Sequence, residues 1–299
     1  MSGWNGRAPA GRFAYVDGRY LPHGRAAVHI EDRGLQLADS IYEVCSVIDG
    51  ALMDEEEHLD RLERSVREID MAMPMPRNVL RLVMRELVRR NRVRNGLLYL
   101  QVTRGAFRRD HSIPANAGRP TLIMTARDMG TSASARLRGK GVTVMTRPDE
   151  RWARRDIKTT QLLPNLLAKT KARKSGSWEA WLVDSEGFVT EGASTTAWIV
   201  DAGGKLTTRD LSHDILPGVT RRVILEAAAQ GQLPVSERKF TPAEAAAARE
   251  AFISSAAGVF PVTAIDGHKI GDGQPGPVTR RVQELYAQMS SARAGELSR

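Results

Sequence analysis

Residues 40–50 have the sequence Ser-Ile-Tyr-Glu-Val-Cys-Ser-Val-Ile-Asp-Gly, which predicts a strand, Ser40–Ile48, that ends in a tight turn. The same ending, a branched apolar residue followed by Asp-Gly, occurs at Val16-Asp17-Gly18 and again at Ile265-Asp266-Gly267. An Asp-Gly pair between apolar segments is typical of a β-hairpin. The three turns are unequally spaced along the chain, which excludes a solenoid repeat.

Amphipathic helices separate these hairpins. The spacing of apolar side chains predicts helices over 58–71, 77–94, 162–174, 219–230, 243–250 and 278–289. The remaining apolar runs predict strands that do not alternate regularly with the helices, so we expect an α+β fold rather than a doubly wound sheet. The sequence contains neither the G-x-G-x-x-G fingerprint nor a P-loop motif of nucleotide-binding proteins.

The length of 299 residues is sufficient for two domains. Residues 127–140 are mostly small and polar and lack apolar periodicity, so an interdomain linker is predicted at 129–138. This linker would join an N-terminal domain, 13–128, to a C-terminal domain, 139–299. Residues 1–12 are expected to form a flexible arm.

Composition restricts the class of protein. Hydrophobic residues make up 41% of the chain and charged residues 26%, which is close to the globular average and excludes wholesale disorder. No apolar run approaches the roughly 20 residues of a membrane span, and no secretory signal is visible. The single cysteine, Cys45, excludes an internal disulfide and a cysteine-rich zinc site. We therefore expect a cytoplasmic protein with no metal and no membrane partner.

The formal net charge of +9 makes nucleic acid and anionic small molecules candidate ligands. The predicted helix over 77–94 carries the densest set of basic residues: Arg81, Arg85, Arg89, Arg90, Arg92 and Arg94. It also carries Glu86 and a full apolar face, and aromatic residues, 5% of the chain, do not interleave with its arginines as single-strand binders require. A nucleic-acid-binding protein is therefore the remote alternative.

Lys158 differs in context from the other lysines of the chain. It lies in Asp156-Ile157-Lys158-Thr159-Thr160, between a predicted strand and an apolar helix, whereas the others lie at turns, helix ends or polar segments. A lysine that enters a core at such a point loses hydration, and its amine can act as a nucleophile. An exposed loop lysine is the ordinary alternative, and the local pattern leaves both interpretations open.

Six short motifs occur in order between about Tyr15 and Tyr286. They are Glu31-Asp32-Arg33-Gly34, Ser40-Ile41-Tyr42-Glu43-Val44, His58-Leu59-Asp60-Arg61-Leu62, Asp156-Ile157-Lys158, Val189-Thr190-Glu191-Gly192-Ala193-Ser194 and Leu216-Pro217-Gly218-Val219-Thr220-Arg221. In this order the motifs resemble the class IV aminotransferases, the pyridoxal-phosphate enzymes of fold type IV. The resemblance implies a two-domain α+β enzyme with its active site at the domain interface and its cofactor held mostly by the C-terminal domain, 139–299.

The resemblance also implies roles for individual residues toward pyridoxal phosphate. Lys158 forms the Schiff base and shuttles the substrate proton, and Glu191 pairs with the ring nitrogen, so that the ring accepts electrons. The phosphate contacts that it implies are Arg61, Val219, Thr220, Ser255 and Ala256. Val219 and Thr220 follow a Pro-Gly turn at a predicted helix start, which suits an anion. Ala256 departs from the Ser-Thr pair that is common in the family, so only its backbone can donate there.

The segment after strand Leu98–Thr103 resembles the D-amino acid transaminases. There an Arg-x-His pair, here Arg109 and His111, binds the substrate α-carboxylate together with a tyrosine, here Tyr42, and Tyr99 lines the pocket. A guanidinium can bind a carboxylate with two hydrogen bonds. Arg108 is the alternative to Arg109, because the register of the loop is ambiguous.

The implied reaction is transamination of D-alanine or D-glutamate, with pyruvate or 2-oxoglutarate as the amine acceptor. Branched-chain L-amino acid aminotransferases and aminodeoxychorismate lyase are alternatives on the same fold, since Leu216-Pro217-Gly218 fits branched-chain aminotransferases equally well. The family resemblance further implies a homodimer in which loops of the partner often complete the pocket. The partners are then small amino acids and keto acids, and no nucleic acid.

Overall fold

The computed structural model of the protein describes residues 11–113 and 118–297. They form two compact units. The described part of the first unit extends to Gly130 and also includes Ile157–Gln161, and the second unit contains Thr131–Asp156 and Leu162–Leu297. Each unit combines helices with one sheet whose strand order does not follow a βαβ pattern, which confirms the α+β class.

The first unit is built on a six-stranded antiparallel sheet with the order β2-β1-β6-β5-β3-β4. Its strands are β1 Phe13–Val16, β2 Arg19–Pro22, β3 Ser40–Ile48, β4 Ala51–Leu52, β5 Gly96–Thr103 and β6 Thr121–Asp128. Its helices are α1 Arg33–Leu37, α2 Glu55–Glu68 and α3 Arg77–Arg90, and a 3-10 turn spans His23–Arg25. The Asp-Gly turns predicted after Val16 and Ile48 connect β1 to β2 and β3 to β4.

Helix α2 packs against β3 and covers one face of the sheet. Leu59, Leu62 and Val66 of α2 are buried, as are Ile41 and Cys45 of β3. Successive side chains of a strand point to opposite faces, so Tyr42 and its alternate neighbours face away from α2. Helix α2 begins at Glu55, three residues before the predicted start, because three glutamates in its first turn suit the positive end of the helix dipole.

The second unit contains a nine-stranded mixed sheet with the order β12-β11-β10-β13-β14-β7-β8-β9, and β15 pairs with β14. Its strands are β7 Val142–Pro148, β8 Glu179–Val183, β9 Val189–Gly192, β10 Thr196–Val200, β11 Leu206–Thr208, β12 Val235–Glu237, β13 Glu250–Ser255, β14 Gly258–Ile265 and β15 His268–Lys269. Its helices are α4 Ser132–Lys140, α5 Leu163–Lys174, α6 Val219–Gln230, α7 Pro242–Ala246 and α8 Pro277–Leu297.

The central strands of this sheet are buried on both faces. In β10 the residues Ala197 and Ile199 join one apolar cluster, while Trp198 and Val200 join another on the opposite face. Trp198 stacks on Phe252 with ring centroids 5.3 Å apart. Strand β9 of the same sheet carries Glu191. Within 11–113 and 118–297, no helix is both long and apolar enough to cross a membrane.

Three sequence predictions need correction. The expected linker at 129–138 is largely helix, since α4 spans Ser132–Lys140 and its Leu137 packs against the apolar cluster around Trp181. The two domains are also not continuous, because Ile157–Gln161 returns to the first unit. The helix predicted over 243–250 stops at Ala246, since Glu250 already pairs with Val200 of β10. The predicted arm, 1–12, lies mostly outside the described residues.

Candidate active site

Lys158 lies in a segment that extends the sheet of the first unit. The backbone N–H of Tyr42 donates to the Lys158 carbonyl at 3.0 Å, and that of Thr160 donates to the Ser40 carbonyl at 3.2 Å. Strand β4 pairs only with the far end of β3, at Val47 and Ile48, so the edge of β3 near Ser40 is available for this segment. Backbone pairing therefore fixes Lys158 beside the start of β3.

The side chain of Lys158 lies over one of two stacked aromatic rings. Its Nζ is 4.2 Å from the centroid of the Tyr42 ring, and that ring stacks on Tyr99 at 5.8 Å. Lys158 is half-buried. The structure thus brings together three of the predicted site residues: an amine and two phenols on one face of the sheet.

A chain of polar side chains runs along the same face. The Tyr99 hydroxyl donates to Gln101 Oε1 at 2.8 Å, Gln101 Nε2 donates to Ser40 Oγ at 3.1 Å, and Ser40 Oγ lies 2.5 Å from Thr160 Oγ1. Burial, with Tyr42 nearby, raises the pKa of Tyr99 to about 12, so its hydroxyl keeps its proton at neutral pH. These hydrogen bonds link Tyr99 to Thr160, which lies two positions after Lys158. Sequence reasoning missed Gln101, Ser40 and Thr160, because their contacts depend on strand register.

Arg61 lies in α2, where it binds a buried carboxylate. Its Nε and Nη2 donate to Glu43 Oε1 and Oε2, each at 2.8 Å, and His58 Nδ1 lies 2.8 Å from Glu43 Oε2. Burial acts to raise the pKa of Glu43, but the Arg61 charge and the hydrogen bonds from Arg61 and His58 hold that pKa well below its usual range. Glu43 and His58 were missed as functional candidates, although both lie in the quoted motifs and His58 precedes Arg61 by one helical turn.

The predicted carboxylate clamp lies on the surface of the first unit. Arg109, His111 and the alternative Arg108 are all exposed, on the loop that follows β5. Arg33 anchors this loop, since its Nη1 donates to the carbonyls of Asp110 and Ser112. The contacts of the described residues within one chain do not join Arg109 or His111 to Tyr42, Tyr99 or Lys158.

Glu191 is buried in the second unit, on β9. Its Oε1 accepts hydrogen bonds from Arg151 Nη1 at 2.5 Å and from the backbone N–H of Leu216 at 3.2 Å. Burial raises the pKa of Glu191, and the charge and hydrogen bond of Arg151 oppose that rise. The bond to Leu216 connects two of the sequence motifs. Arg151 was missed because it belongs to an arginine-rich run, and charge pattern does not show which arginine is buried.

Apart from Arg61, the predicted phosphate contacts lie at one helix start and one hairpin turn of the second unit. Val219 and Thr220 begin α6, whose N-cap residue, Gly218, forms no side-chain cap. A Cβ on Gly218 would lie 3.1 Å from Thr196 Oγ1, and Thr196 pairs with Ser254, next to Ser255. The turn after β13, with Ser255 and Ala256, therefore lies at the same end of strands β10 and β13 as the start of α6.

The candidate groups of the two units, each unit taken by itself, suit parts of pyridoxal phosphate. Helix N-terminal amides and hydroxyls donate hydrogen bonds, as a phosphate requires. A lysine amine suits an aldehyde, and a buried carboxylate that is hydrogen-bonded through only one oxygen in the described structure suits a ring nitrogen. Arg61 adds a buried positive charge, which Glu43 balances.

Comparisons with known proteins agree with this set of groups. The family model described as amino-transferase class IV matches residues 40–265. A D-alanine aminotransferase of Listeria monocytogenes is 38% identical over 284 residues, which cover 94% of this chain and 97% of that protein. One of Bacillus licheniformis is 38% identical over 268 residues, which cover 89% and 93%.

A solved structure has the same fold. The T.th. branched-chain amino acid aminotransferase with pyridoxamine 5'-phosphate superposes with a TM-score of 0.86 at 25% identity, covering 94% of this chain and 95% of that one. The span matched by the family model contains Lys158, Glu191 and five of the six motifs. This chain therefore belongs to the class IV aminotransferases, which are pyridoxal-phosphate enzymes.

Proposed function

We propose that this enzyme transaminates D-amino acids, with D-alanine or D-glutamate as the amine donor and pyruvate or 2-oxoglutarate as the acceptor. The observation that carries the proposal is the 38% identity to D-alanine aminotransferases over nearly the whole chain. The branched-chain aminotransferase with the same fold is more distant in sequence, at 25% identity.

Pyridoxal phosphate, when bound, supplies a ring that accepts the electrons released at the substrate Cα. We propose that the Lys158 amine holds this cofactor and then moves the Cα proton, since Nζ is the basic group that β3 and its paired segment fix in place. The Tyr42 ring, 4.2 Å from Nζ, covers one side of the amine and excludes water there. Tyr99 lines the pocket behind it.

The remaining cofactor contacts follow from charge. Glu191 would hold the ring nitrogen in its protonated form, since an ionised carboxylate accepts that proton's hydrogen bond. Arg61, Val219, Thr220, Ser255 and the backbone of Ala256 would bind the phosphate with donors and positive charge. Glu43 balances the charge of Arg61, so a buried cation remains in place before the phosphate binds.

We propose that Arg109 and His111 bind the substrate carboxylate with Tyr42, and that the enzyme is a homodimer. Large apolar side chains exposed on the single chain support a second copy: Ile30, Leu35, Ile113, Leu163, Leu166 and Leu167. Ile113 lies on the same loop as His111, so burying it against a partner would also order the clamp. Light scattering should give twice the mass of one chain, and a monomer that is fully active would contradict the dimer.

We place the reaction in the cytoplasm, a reducing compartment in which the buried thiol of Cys45 persists. Fractionation of the source cells checks this, and activity confined to a membrane or extracellular fraction would contradict it.

An amine-donor panel tests the substrate class. The purified yellow enzyme is given D-alanine, D-glutamate or L-leucine, and the change in cofactor absorbance and the keto acid formed are both followed. We expect the D-enantiomers to react and L-leucine to be at least tenfold slower. The structural similarity to a branched-chain aminotransferase makes L-leucine the second candidate, and preference for L-leucine over both D-amino acids would overturn the proposal.

A further inference from the structure

Arg151 lies between two buried carboxylates of the second unit. Its Nη1 donates to Glu191 Oε1 at 2.5 Å, while its Nε and Nη2 donate to Asp149 Oδ1 and Oδ2 at 2.9 and 2.8 Å. The Arg151 side chain is 8% exposed and that of Asp149 is fully buried. One guanidinium therefore joins Glu191 to a second acid that has no role in the proposed chemistry.

The bridge has a fixed orientation. The Thr190 hydroxyl donates to Asp149 Oδ2 at 2.8 Å, and Arg151 Nη2 also reaches the Asp214 carbonyl at 3.4 Å. Both hydrogen bonds that the described residues give to Glu191, from Arg151 and from Leu216 N–H, go to Oε1. Oε1 is therefore held, and Oε2 is the oxygen left to meet a ligand.

We propose that Arg151 is a positioning residue that keeps Glu191 ionised and turns its Oε2 toward the cofactor nitrogen. The negative charge of Asp149 would partly oppose the ionisation of Glu191. The inference rests on the proposed role of Glu191. A buried carboxylate without a counter-charge takes up a proton, and a neutral carboxylic acid cannot hold a ring nitrogen in its protonated form.

The charges around Glu191 give the two neighbours opposite effects. Burial raises the pKa of Glu191, Arg151 lowers it, and the negative charge of Asp149 raises it again. Several other charged groups on neighbouring elements form pairs of their own. These pairs are Arg155 with Asp149 and Asp214, Arg209 with Asp184 and Asp214, Arg154 with Asp156, and Lys169 with Glu179. Arg151 is thus the cation in direct contact with Glu191.

The test compares Arg151→Met, Arg151→Lys and Asp149→Asn with the wild-type enzyme and with Glu191→Gln. Arg136→Met, an exposed arginine of the same unit, is the matched control for loss of a guanidinium. Three quantities are measured on each: affinity of the apo-enzyme for pyridoxal phosphate by fluorescence titration, kcat as a function of pH, and melting temperature by circular dichroism.

We expect Arg151→Met to weaken cofactor binding at neutral pH by roughly tenfold to a hundredfold, the range for losing a charge-assisted hydrogen bond. The acid limb of its kcat profile should move to higher pH, because Glu191 must lose its proton to act. Arg151→Lys should fall between this variant and wild type. Asp149→Asn should move the acid limb the other way, to lower pH, and Arg136→Met should match wild type.

Opposite shifts from two partners of one bridge cannot come from a general loss of stability. The inference is overturned if the acid limb of the kcat profile lies at the wild-type pH in both Arg151→Lys and Asp149→Asn. It is also overturned if the limb moves in the same direction in both variants. These two variants decide the matter even where Arg151→Met fails to fold. A wild-type protein that binds no pyridoxal phosphate, or a Glu191→Gln enzyme with normal kcat, would instead refute the proposed function, and the inference with it.

Discussion

The Lys158 amine lies over the face of the Tyr42 ring, with Nζ 4.2 Å from the ring centroid. A cation over an aromatic face is stabilised by about 0.5–2 kcal/mol. The ring therefore helps to fix the position of the amine. In the proposed site the Tyr42 ring contacts the lysine, and its hydroxyl is the part of the side chain that would contact the substrate.

The carboxylate clamp can be tested residue by residue. Arg109→Ala should lower kcat/KM for D-alanine by roughly tenfold to a hundredfold, since a bidentate charge-assisted contact contributes about 1.5–3 kcal/mol. Arg108→Ala is the matched control, because it removes an equally exposed guanidinium from the adjacent position. Steady-state kinetics of the two variants show which arginine binds the substrate carboxylate. Equal losses of kcat/KM in both variants would show that the assignment to Arg109 is wrong.

Candidate residues could be named from the sequence, but their side-chain partners could not. Lys158 could be singled out because its sequence context differs from that of every other lysine, and Glu191 because it lies in a motif. Arg151 could not, since Arg151, Arg154 and Arg155 look alike in sequence and only the fold buries the first deeply. The hydrogen bonds from Tyr99 to Thr160 could not be predicted from the sequence either, because they join side chains on two strands and a distant segment.

At the scale of elements, β3 has different tasks on its two faces. Alternation along the strand places Tyr42 on the face near Lys158 and Glu43 on the face covered by α2. One helical turn separates His58 from Arg61 in α2, so both side chains reach the same carboxylate. A one-residue slip of β3 would exchange the two faces and disrupt both groups.

Replacing Glu43 with glutamine tests the ion pair with Arg61 on the face of β3 that α2 covers. The change leaves the buried Arg61 without its counter-charge, so the free energy of unfolding should fall by about 3–5 kcal/mol, the cost of breaking a buried ion pair. Urea unfolding at neutral pH measures this. Glu86→Gln is the control, since it removes an exposed pair on α3 and should change stability little.

The difference in unfolding free energy between wild type and Glu43→Gln should change with pH in a definite direction. The folded-state pKa of Glu43 lies below its unfolded value, so its stabilisation is present above the usual glutamate pKa and is lost as pH falls through the folded value. The stability gap between wild type and Glu43→Gln should therefore narrow in acid. A gap below about 1 kcal/mol at neutral pH, or one that widens in acid, would contradict the role given to this carboxylate.

Elements with a clear apolar stripe were predicted well, and elements without one were not. Helices α2 and α3 followed from the spacing of leucines and valines, and their observed bounds differ from the predicted ones by a few residues. Helix α4 has no buried residue, so no periodic pattern distinguishes it from a linker. Helix α7 is short because the alanines that follow it lead into β13, a fact of sheet pairing rather than of composition.

At the scale of the whole molecule, the decisive feature is that the chain returns to its first unit. Ile157–Gln161 comes from the middle of the sequence, and Thr160 contacts Ser40 across 120 positions. Sequence reasoning identified two domains but treated each as continuous, because composition carries no signal for a five-residue return. The segment Ile157–Gln161 places Lys158 beside Tyr42. The candidate site therefore depends on the feature that was hardest to predict.

The most direct measurement is the covalent trapping of the cofactor on its lysine. The holoenzyme is reduced with borohydride and digested, and the labelled peptide is sequenced by mass spectrometry, with Lys158→Ala treated in parallel. We expect one labelled peptide, containing Lys158, and no label in the variant. A label on any other lysine, or a wild-type chain that takes up no cofactor, would show that Lys158 does not hold the cofactor.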